Sequence, residues 1–173
     1  MDDLVTVRLI LHPMSPGEAE QVVAGEPDSS ARWAPGYPTE GDVAAARRFL
    51  SVCASTGYPQ PFGGYEIRRR EDGHAIGGVG FHGSPDHNGS VTIGYGLVPS
   101  AHGKGYASEA LRTLLAFARA GGITCVQGDT DHDNIASQHV MSAVGMQLVT
   151  EDERLKHYKI IWTDATATTD PSA

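Results

Sequence analysis

Apolar and polar residues alternate from Leu4 to Leu11, with Val5, Val7 and Leu9 separated by Thr6 and Arg8. A period of two predicts a strand, and His12-Pro13 is expected to end it. Ser15-Pro16-Gly17-Glu18 reads as a helix start: Ser15 as N-cap, Pro16 at the first helical position and Glu18 three residues after the cap. Residues 25–41 are rich in Gly, Pro, Ser and Asp, hold Trp33 and Tyr37, and predict a long loop. Thr39-Glu40-Gly41-Asp42 then opens a second helix over about 42–55, with Val43, Ala46, Phe49 and Leu50 on one side. After a loop at 57–64, Tyr65–Arg68 and Ala75–His82 read as two strands of a hairpin. Asp72-Gly73 supplies its turn, where both positions must tolerate positive φ.

Following another loop at 83–89, Val91, Ile93, Tyr95 and Leu97 alternate through a strand over 90–98, which Pro99 ends. A glycine-bearing turn, Ser100 to Gly105, feeds a helix over 105–120. Its Ala107, Ala110, Leu111, Leu114, Leu115 and Ala118 recur at three-and-four spacing, an apolar face, and Gly121-Gly122 closes it. A short strand over 123–128 leads to a helix capped by Asp133 or Asn134 and ending near Val144. Two strands, 146–150 and 156–162, complete the pattern, and the Thr/Ala/Asp/Pro/Ser tail over 163–173 is expected to be disordered. The order β-α-α-β-β-β-α-β-α-β-β predicts an α/β (α+β) fold in one domain over 1–162. Its sheet is mixed, with six to seven strands and about four helices on both faces.

Length and charge narrow the function classes. A chain of 173 residues is one domain with room for a sizeable core. Thirteen Lys and Arg against 21 Asp and Glu give a net charge of −8. This argues against nucleic acid and anionic membrane as partners, both of which need a cationic face, and mildly favours a cationic or amine partner. Cys53 and Cys125 are far apart and have no metal-ligand spacing, so free thiols are expected. The acidic N-terminus and short apolar runs resemble neither a secretory signal nor a membrane span, so a cytoplasmic protein is expected.

The turn between the strand at 90–98 and the helix at 105–120 carries the chemistry. A glycine turn feeding a helix presents unpaired backbone N–H groups and the positive end of the helix dipole, a cradle for phosphate. Gly103 and Gly105 allow a close backbone approach. Lys104 sits between these glycines, which does not match a Walker loop, and Ser108 occupies the place of a dinucleotide fingerprint's third glycine.

Gly94-Tyr95-Gly96-Leu97-Val98-Pro99 followed by His102-Gly103-Lys104-Gly105-Tyr106-Ala107-Ser108-Glu109-Ala110-Leu111 closely resembles the coenzyme A-binding core of the GNAT superfamily of N-acetyltransferases. The block Asp133-Asn134-Ile135-Ala136-Ser137, running to Val144-Gly145-Met146, resembles the second motif of the RimJ/RimL-like branch. The element order matches that family almost throughout. The resemblance implies a mostly antiparallel sheet splayed at the cofactor strand, and acetyl-CoA as cosubstrate with no metal. Leu97 and Val98 would run beside the pantetheine arm, with a strand N–H near them for the oxyanion. The N–H groups of Gly103, Lys104, Gly105, Tyr106, Ala107 and Ser108 would hold the pyrophosphate. Asn134 and Ser137 would contact the pantetheine and thioester. His102 departs from the family's usual Gln or Arg.

The implied reaction is direct acyl transfer to a neutral amine. Many relatives carry a Tyr acid seven residues after the Asn; Met141 stands there, which makes Ser137 the candidate acid. Asp129, His82 and Glu66 are the candidate bases, and Glu109 is read as a complement to the helix dipole. Asp131-His132-Asp133 reads as a polar loop before a helix. Trp33 and Tyr37, with Tyr58 and Phe62, are candidates for an acceptor wall. The acceptor is expected to be a small amine or a protein N-terminus. The alternative is a catalytically silent acyl-CoA sensor or interaction domain of the same fold, and a homodimer is the oligomer the resemblance suggests.

Overall fold

The structure, a computed structural model, describes residues 1–162. The tail over 163–173, expected to be disordered, lies outside the described residues. In chain order the strands are β1 (Leu4–Val5), β2 (Leu9–Pro13), β3 (Gly64–Arg69), β4 (Ala75–Phe81), β5 (Ser90–Leu97), β6 (Cys125–Asp131), β7 (Gln147–Glu151) and β8 (Leu155–Ile161). The helices are α1 (Pro16–Ala24), α2 (Glu40–Thr56), α3 (Tyr106–Ala120) and α4 (Ile135–Ala143). They flank an eight-stranded sheet of order β1-β2-β3-β4-β5-β6-β8-β7. Every pairing is antiparallel except β5 with β6. Among the described residues no helix is long and apolar enough to cross a membrane.

The sheet has eight strands rather than six to seven because the first alternating run folds back on itself. Leu4 pairs with Leu11 and Val5 with Ile10. Thr6 closes the reversal: its N–H donates to the Leu9 carbonyl at 2.9 Å, and its Oγ accepts from the Leu9 N–H at 2.9 Å. Val7 is left 85% exposed at the tip. The run does not stop at His12-Pro13 either, since Pro13 still pairs with Tyr65. Both early helices begin with capping boxes, Ser15/Glu18 and Thr39/Asp42, and α2 starts at Glu40, ahead of the predicted 42.

Strand β6 outruns its predicted end, so Asp129 stands within it. Gln127, Asp129 and Asp131 face outward while Val126, Gly128 and Thr130 are buried, and all seven residues pair with β8. The core gathers Leu9, Leu11, Ile67, Ile76, Leu111, Leu114 and Val126, none of them exposed. Each such side chain contributes about 1.5–3 kcal/mol relative to an exposed one.

Two features position the site. The parallel contact of β5 with β6 lasts only through Ser90–Cys125, Val91–Val126 and Thr92–Gln127. Beyond it β5 continues to Leu97 and β6 to Asp131 without partnering each other, so the sheet splays open. Beside the splay Gly78 pairs with Gly96 and Gly80 with Gly94. Directly opposed residues share a sheet face. A Cβ on Gly78 would meet Asp42 of α2, so this bare glycine face looks toward α2. Tyr95 points to the opposite face, toward α4.

Candidate active site

A single turn of 3-10 helix at Pro99–Ala101 bends the chain from β5 toward α3. Gly103 and Gly105 then adopt φ of +73° and +81°, backbone that L side chains rarely take. Gly105 is the N-cap of α3 and offers no side-chain acceptor to the first-turn N–H groups. Those of Tyr106, Ala107 and Ser108 therefore lie open at the positive end of the dipole. With no Cβ at either glycine and unclaimed donors converging, the turn fits the pyrophosphate of a coenzyme A species.

Side chains fasten this turn from two directions. His102 Nε2 donates to the Leu97 carbonyl at 3.0 Å, tying the turn to the end of β5. From the other side Arg8 donates through Nη1 to the Lys104 carbonyl at 2.8 Å, and its guanidinium lies 4.4 Å from the centre of the Tyr106 ring. Glu109 accepts from Arg8 Nε at 2.7 Å, from the Arg8 N–H at 2.8 Å and from the Thr6 hydroxyl. Glu109 thus clasps the N-terminal reversal as well as standing in the first turn of α3. Lys104 is exposed.

At the end of β5 the two predicted backbone donors separate. The Val98 N–H is spent on the Ile76 carbonyl at 2.8 Å, so Val98 is not the oxyanion donor. Antiparallel pairs alternate in their hydrogen bonding, and Leu97, opposite Gly77, takes the other phase. Its N–H points away from β4 into the splay.

The splay holds a cavity of about 460 Å³. On its α4 wall Asn134 caps the helix, accepting the Ser137 N–H on Oδ1 at 3.0 Å. Ser137 Oγ lies 2.6 Å from the Tyr95 hydroxyl, which also reaches the Ser137 carbonyl at 3.1 Å. Burial pushes the Tyr95 pKa up, opposed by the bond to Ser137, so the phenol stays protonated. Met141 is buried beside them. Tyr95 is a site residue that alternation alone classed as strand filling.

His82 and Asp129 both line the cavity mouth, and the two interact electrostatically. Desolvation and Arg48 lower the His82 pKa, while Asp129 raises it; the net shift is downward. Glu66 does not join them. It is buried, with Oε1 held by Arg68 Nε at 2.7 Å and Oε2 by the Tyr37 hydroxyl at 3.0 Å. Both oxygens are engaged, so Glu66 is not the cleft-facing base its place in the alternation suggested.

The aromatic wall is half realised. Tyr37 is buried and lines the cavity. Trp33 stands behind it, edge-on with ring centres 5.4 Å apart, bridged to Ala75 rather than reaching the cavity. Tyr58 is exposed and packs on Phe49, and Phe62 packs on Phe81, so these two brace lining residues instead of forming the lining. Asp42, which the sequence pattern places only at the opening of the second helix, lines the cavity as well. His132 Nε2 donates to the Asp152 carbonyl at 2.7 Å, a loop contact. Among the described residues no three His, Cys, Asp or Glu are grouped to hold a metal.

Comparison with known proteins agrees with this geometry. The family model for the acetyltransferase (GNAT) domain matches residues 8–147. An uncharacterized N-acetyltransferase of Bacillus subtilis, YjdG, is 28% identical over 130 residues, covering 71% of this chain and 77% of its own. Among solved structures, the ribosomal-protein-S5-alanine acetyltransferase of Vibrio fischeri superposes with a TM-score of 0.69 at 14% identity, covering 95% of this chain and 98% of its own. RimL, a ribosomal L7/L12 alpha-N-protein acetyltransferase solved with coenzyme A, gives 0.66 at 20% identity, covering 92% and 98%. The chain belongs to the GNAT acetyltransferase family, as an N-acetyltransferase whose fold is of the RimJ/RimL-like type.

Proposed function

We propose that this protein transfers an acetyl group from acetyl-CoA directly to a primary amine, on a small molecule or a protein N-terminus. One observation supports the reading: the Leu97 N–H faces the splay, whose cavity Asn134 and Ser137 line, and from the end of β5 the chain turns directly into the open N–H groups at the head of α3. Acetyl-CoA supplies the acyl group in thioester form. Gly103 to Ser108 bind its pyrophosphate, and Leu97 with Asn134 lines the pantetheine path. The Leu97 N–H donates to the oxygen on which charge develops, the kind of contact that contributes most to acyl transfer. Ser137 donates its proton to the departing sulfur, and the Tyr95 hydroxyl holds that serine in place. His82, neutral near pH 7 because burial lowers its pKa, takes the amine's proton through water, with Asp129 beside it.

The enzyme works in the cytoplasm as a single domain over 1–162. It pairs as a homodimer through β7, which is exposed along its whole length and carries Leu148 and Val149. Asp42, Asp129 and Asp131 line the cavity against Arg48 and Arg154, an excess of carboxylate that suits an amine, whereas nucleic acid and membrane would meet a net charge of −8.

The test is a thermal-shift titration with acetyl-CoA, coenzyme A, ATP and NAD. A thiol-release assay then follows over peptides beginning with Ser or Ala, amino acids and aminoglycosides. Stabilisation by coenzyme A species alone, with thiol release on one amine class, is the expected result. Stabilisation without release across the panel would favour a silent acyl-CoA sensor. No stabilisation by coenzyme A species would overturn the reading of the α3 turn.

A further inference from the structure

We propose that Asp42 is the anion that binds the acceptor's ammonium group, so that the acceptor is held as a cation on the α2 side of the sheet before it reacts. The inference rests on the reading of the cavity as an acetyltransferase site. Its observation is a carboxylate with one oxygen to spare. In the capping box at the head of α2, Asp42 Oδ2 accepts the Thr39 N–H at 2.8 Å and the Thr39 hydroxyl at 2.9 Å. Oδ1 takes no hydrogen bond among the described residues, although Asp42 is only 9% exposed. No fully sealed side-chain oxygen among the described residues lacks a partner, so the access of Oδ1 comes from the cavity that Asp42 lines.

The glycine face fixes where that oxygen stands. A Cβ on Gly78 would lie 3.2 Å from Oδ1, so the oxygen sits directly over the sheet. Gly78 is paired with Gly96, where an added Cβ would meet nothing within 4 Å. Leu97, whose N–H faces the splay, is the next residue. Neighbouring strands are about 4.8 Å apart. An ammonium on Oδ1 therefore stands above the sheet, offset by about one strand spacing from the strand that carries the Leu97 N–H, over bare backbone that leaves it room.

Nearby charge makes a cation the matching ligand. Glu66 is balanced by Arg68. Asp42 has no such counterpart: no Lys, Arg or His pairs with it among the described residues. Burial and the neighbouring Glu66 push its pKa up against the bonds from Thr39. A buried carboxylate short of positive charge is stabilised by an ammonium brought to its free oxygen. Capping alone needs one acceptor oxygen and leaves the second without a role.

The experiment uses two probes of one shape, phenethylamine and phenethyl alcohol, whose ring suits the Tyr37 and Phe49 walls. Their affinities are measured by ligand-observed NMR, with and without coenzyme A. The wild-type protein is expected to prefer the amine by at least about tenfold, the least that a charge-assisted hydrogen bond supplies. Asp42→Asn, which can still accept from Thr39, should abolish the preference and leave the alcohol's affinity and the thermal shift with coenzyme A unchanged. Asp131→Asn, which alters another carboxylate lining the cavity, should keep the preference. Equal affinities in the wild type, or a preference that survives in Asp42→Asn, would overturn the proposal. Should Asp42→Asn not fold, the Asp42 carboxyl carbon resonance of the wild type must shift with the amine and not with the alcohol; no shift overturns it equally. Absence of a thermal shift with coenzyme A strikes the transferase reading instead, and the probe comparison still stands without it.

Discussion

The Tyr95 hydroxyl and the Ser137 Oγ lie 2.6 Å apart, joining β5 to the first turn of α4 across the cavity wall. When the phenol donates to Oγ, the serine's own hydrogen is left free to turn toward the cavity. Ser137→Ala should lower kcat by about 100-fold, the lower end of what a positioned acid contributes. Tyr95→Phe should lower it about tenfold by releasing the serine's orientation, with little change in the KM for acetyl-CoA. The double variant should be no slower than Ser137→Ala, because the tyrosine acts through the serine. Steady-state thiol release measures all three, and multiplicative losses would separate the two residues.

The pH dependence follows from His82. Desolvation and Arg48 hold its pKa below the ordinary value of 6.5. A base works when deprotonated, so kcat/KM should rise with pH along a limb centred below 6.5. Asp129 is the one named neighbour that raises this pKa, so Asp129→Asn should move the limb to still lower pH. His82→Ala should remove it.

The glycines of the β4–β5 pair divide into two kinds. A Cβ at Gly77 would stand 2.1 Å from the Gly96 carbonyl, which neither strand can yield. Gly77→Ala should cost about 1–3 kcal/mol of stability, read as a lowered Tm. Gly96 faces open space. Gly96→Ala should leave Tm close to wild type while raising the KM of the acceptor, since the added methyl projects into the cavity.

Stability should itself depend on pH through His12 and Glu18, 2.9 Å apart beside Ser15. Burial acts to raise the Glu18 pKa, but His12 and the Ser15 bonds outweigh it and bring it from 4.5 to about 2. Its contribution is present above 4.5 and is lost as pH falls toward 2. The Glu18 bond raises the His12 pKa above 6.5 in spite of desolvation. That contribution is complete below 6.5 and disappears as pH rises through the folded-state value. Glu18→Gln should therefore destabilise most between about 4.5 and 6.5, where both partners are charged, and least at either extreme. Denaturant midpoints across that range measure the window.

What could be read from the sequence was local. The Gly103–Ser108 turn, the Ser15/Glu18 capping box and the apolar face of α3 each need only neighbouring residues, and each stands where the pattern put it. Alternation accounts fully for Tyr95, while its partner lies 42 residues away and meets it only once the sheet splays. Asp42 was hidden by its own capping box, which explains one carboxylate oxygen and gives no sign of the other. Glu66 is the converse case: alternation gives a direction but not the Arg68 and Tyr37 that occupy it. The reversal at Thr6 has no glycine or proline to announce it, because a side-chain hydroxyl closes it.

Glu109 and Arg8 lend the far edge of the sheet to the anion cradle. The loop that would grip a phosphate is held from behind by residues about a hundred positions earlier, through the Lys104 carbonyl and the Tyr106 ring. Ligand and N-terminal hairpin are thereby thermodynamically linked: an occupant of the turn stabilises the clasp, and fraying of the first two strands loosens the grip on the occupant. In hydrogen exchange, the amides of Leu9 and Leu11 would report on occupancy of the turn at the head of α3, and the first residues of the chain would act as a latch on whatever binds there.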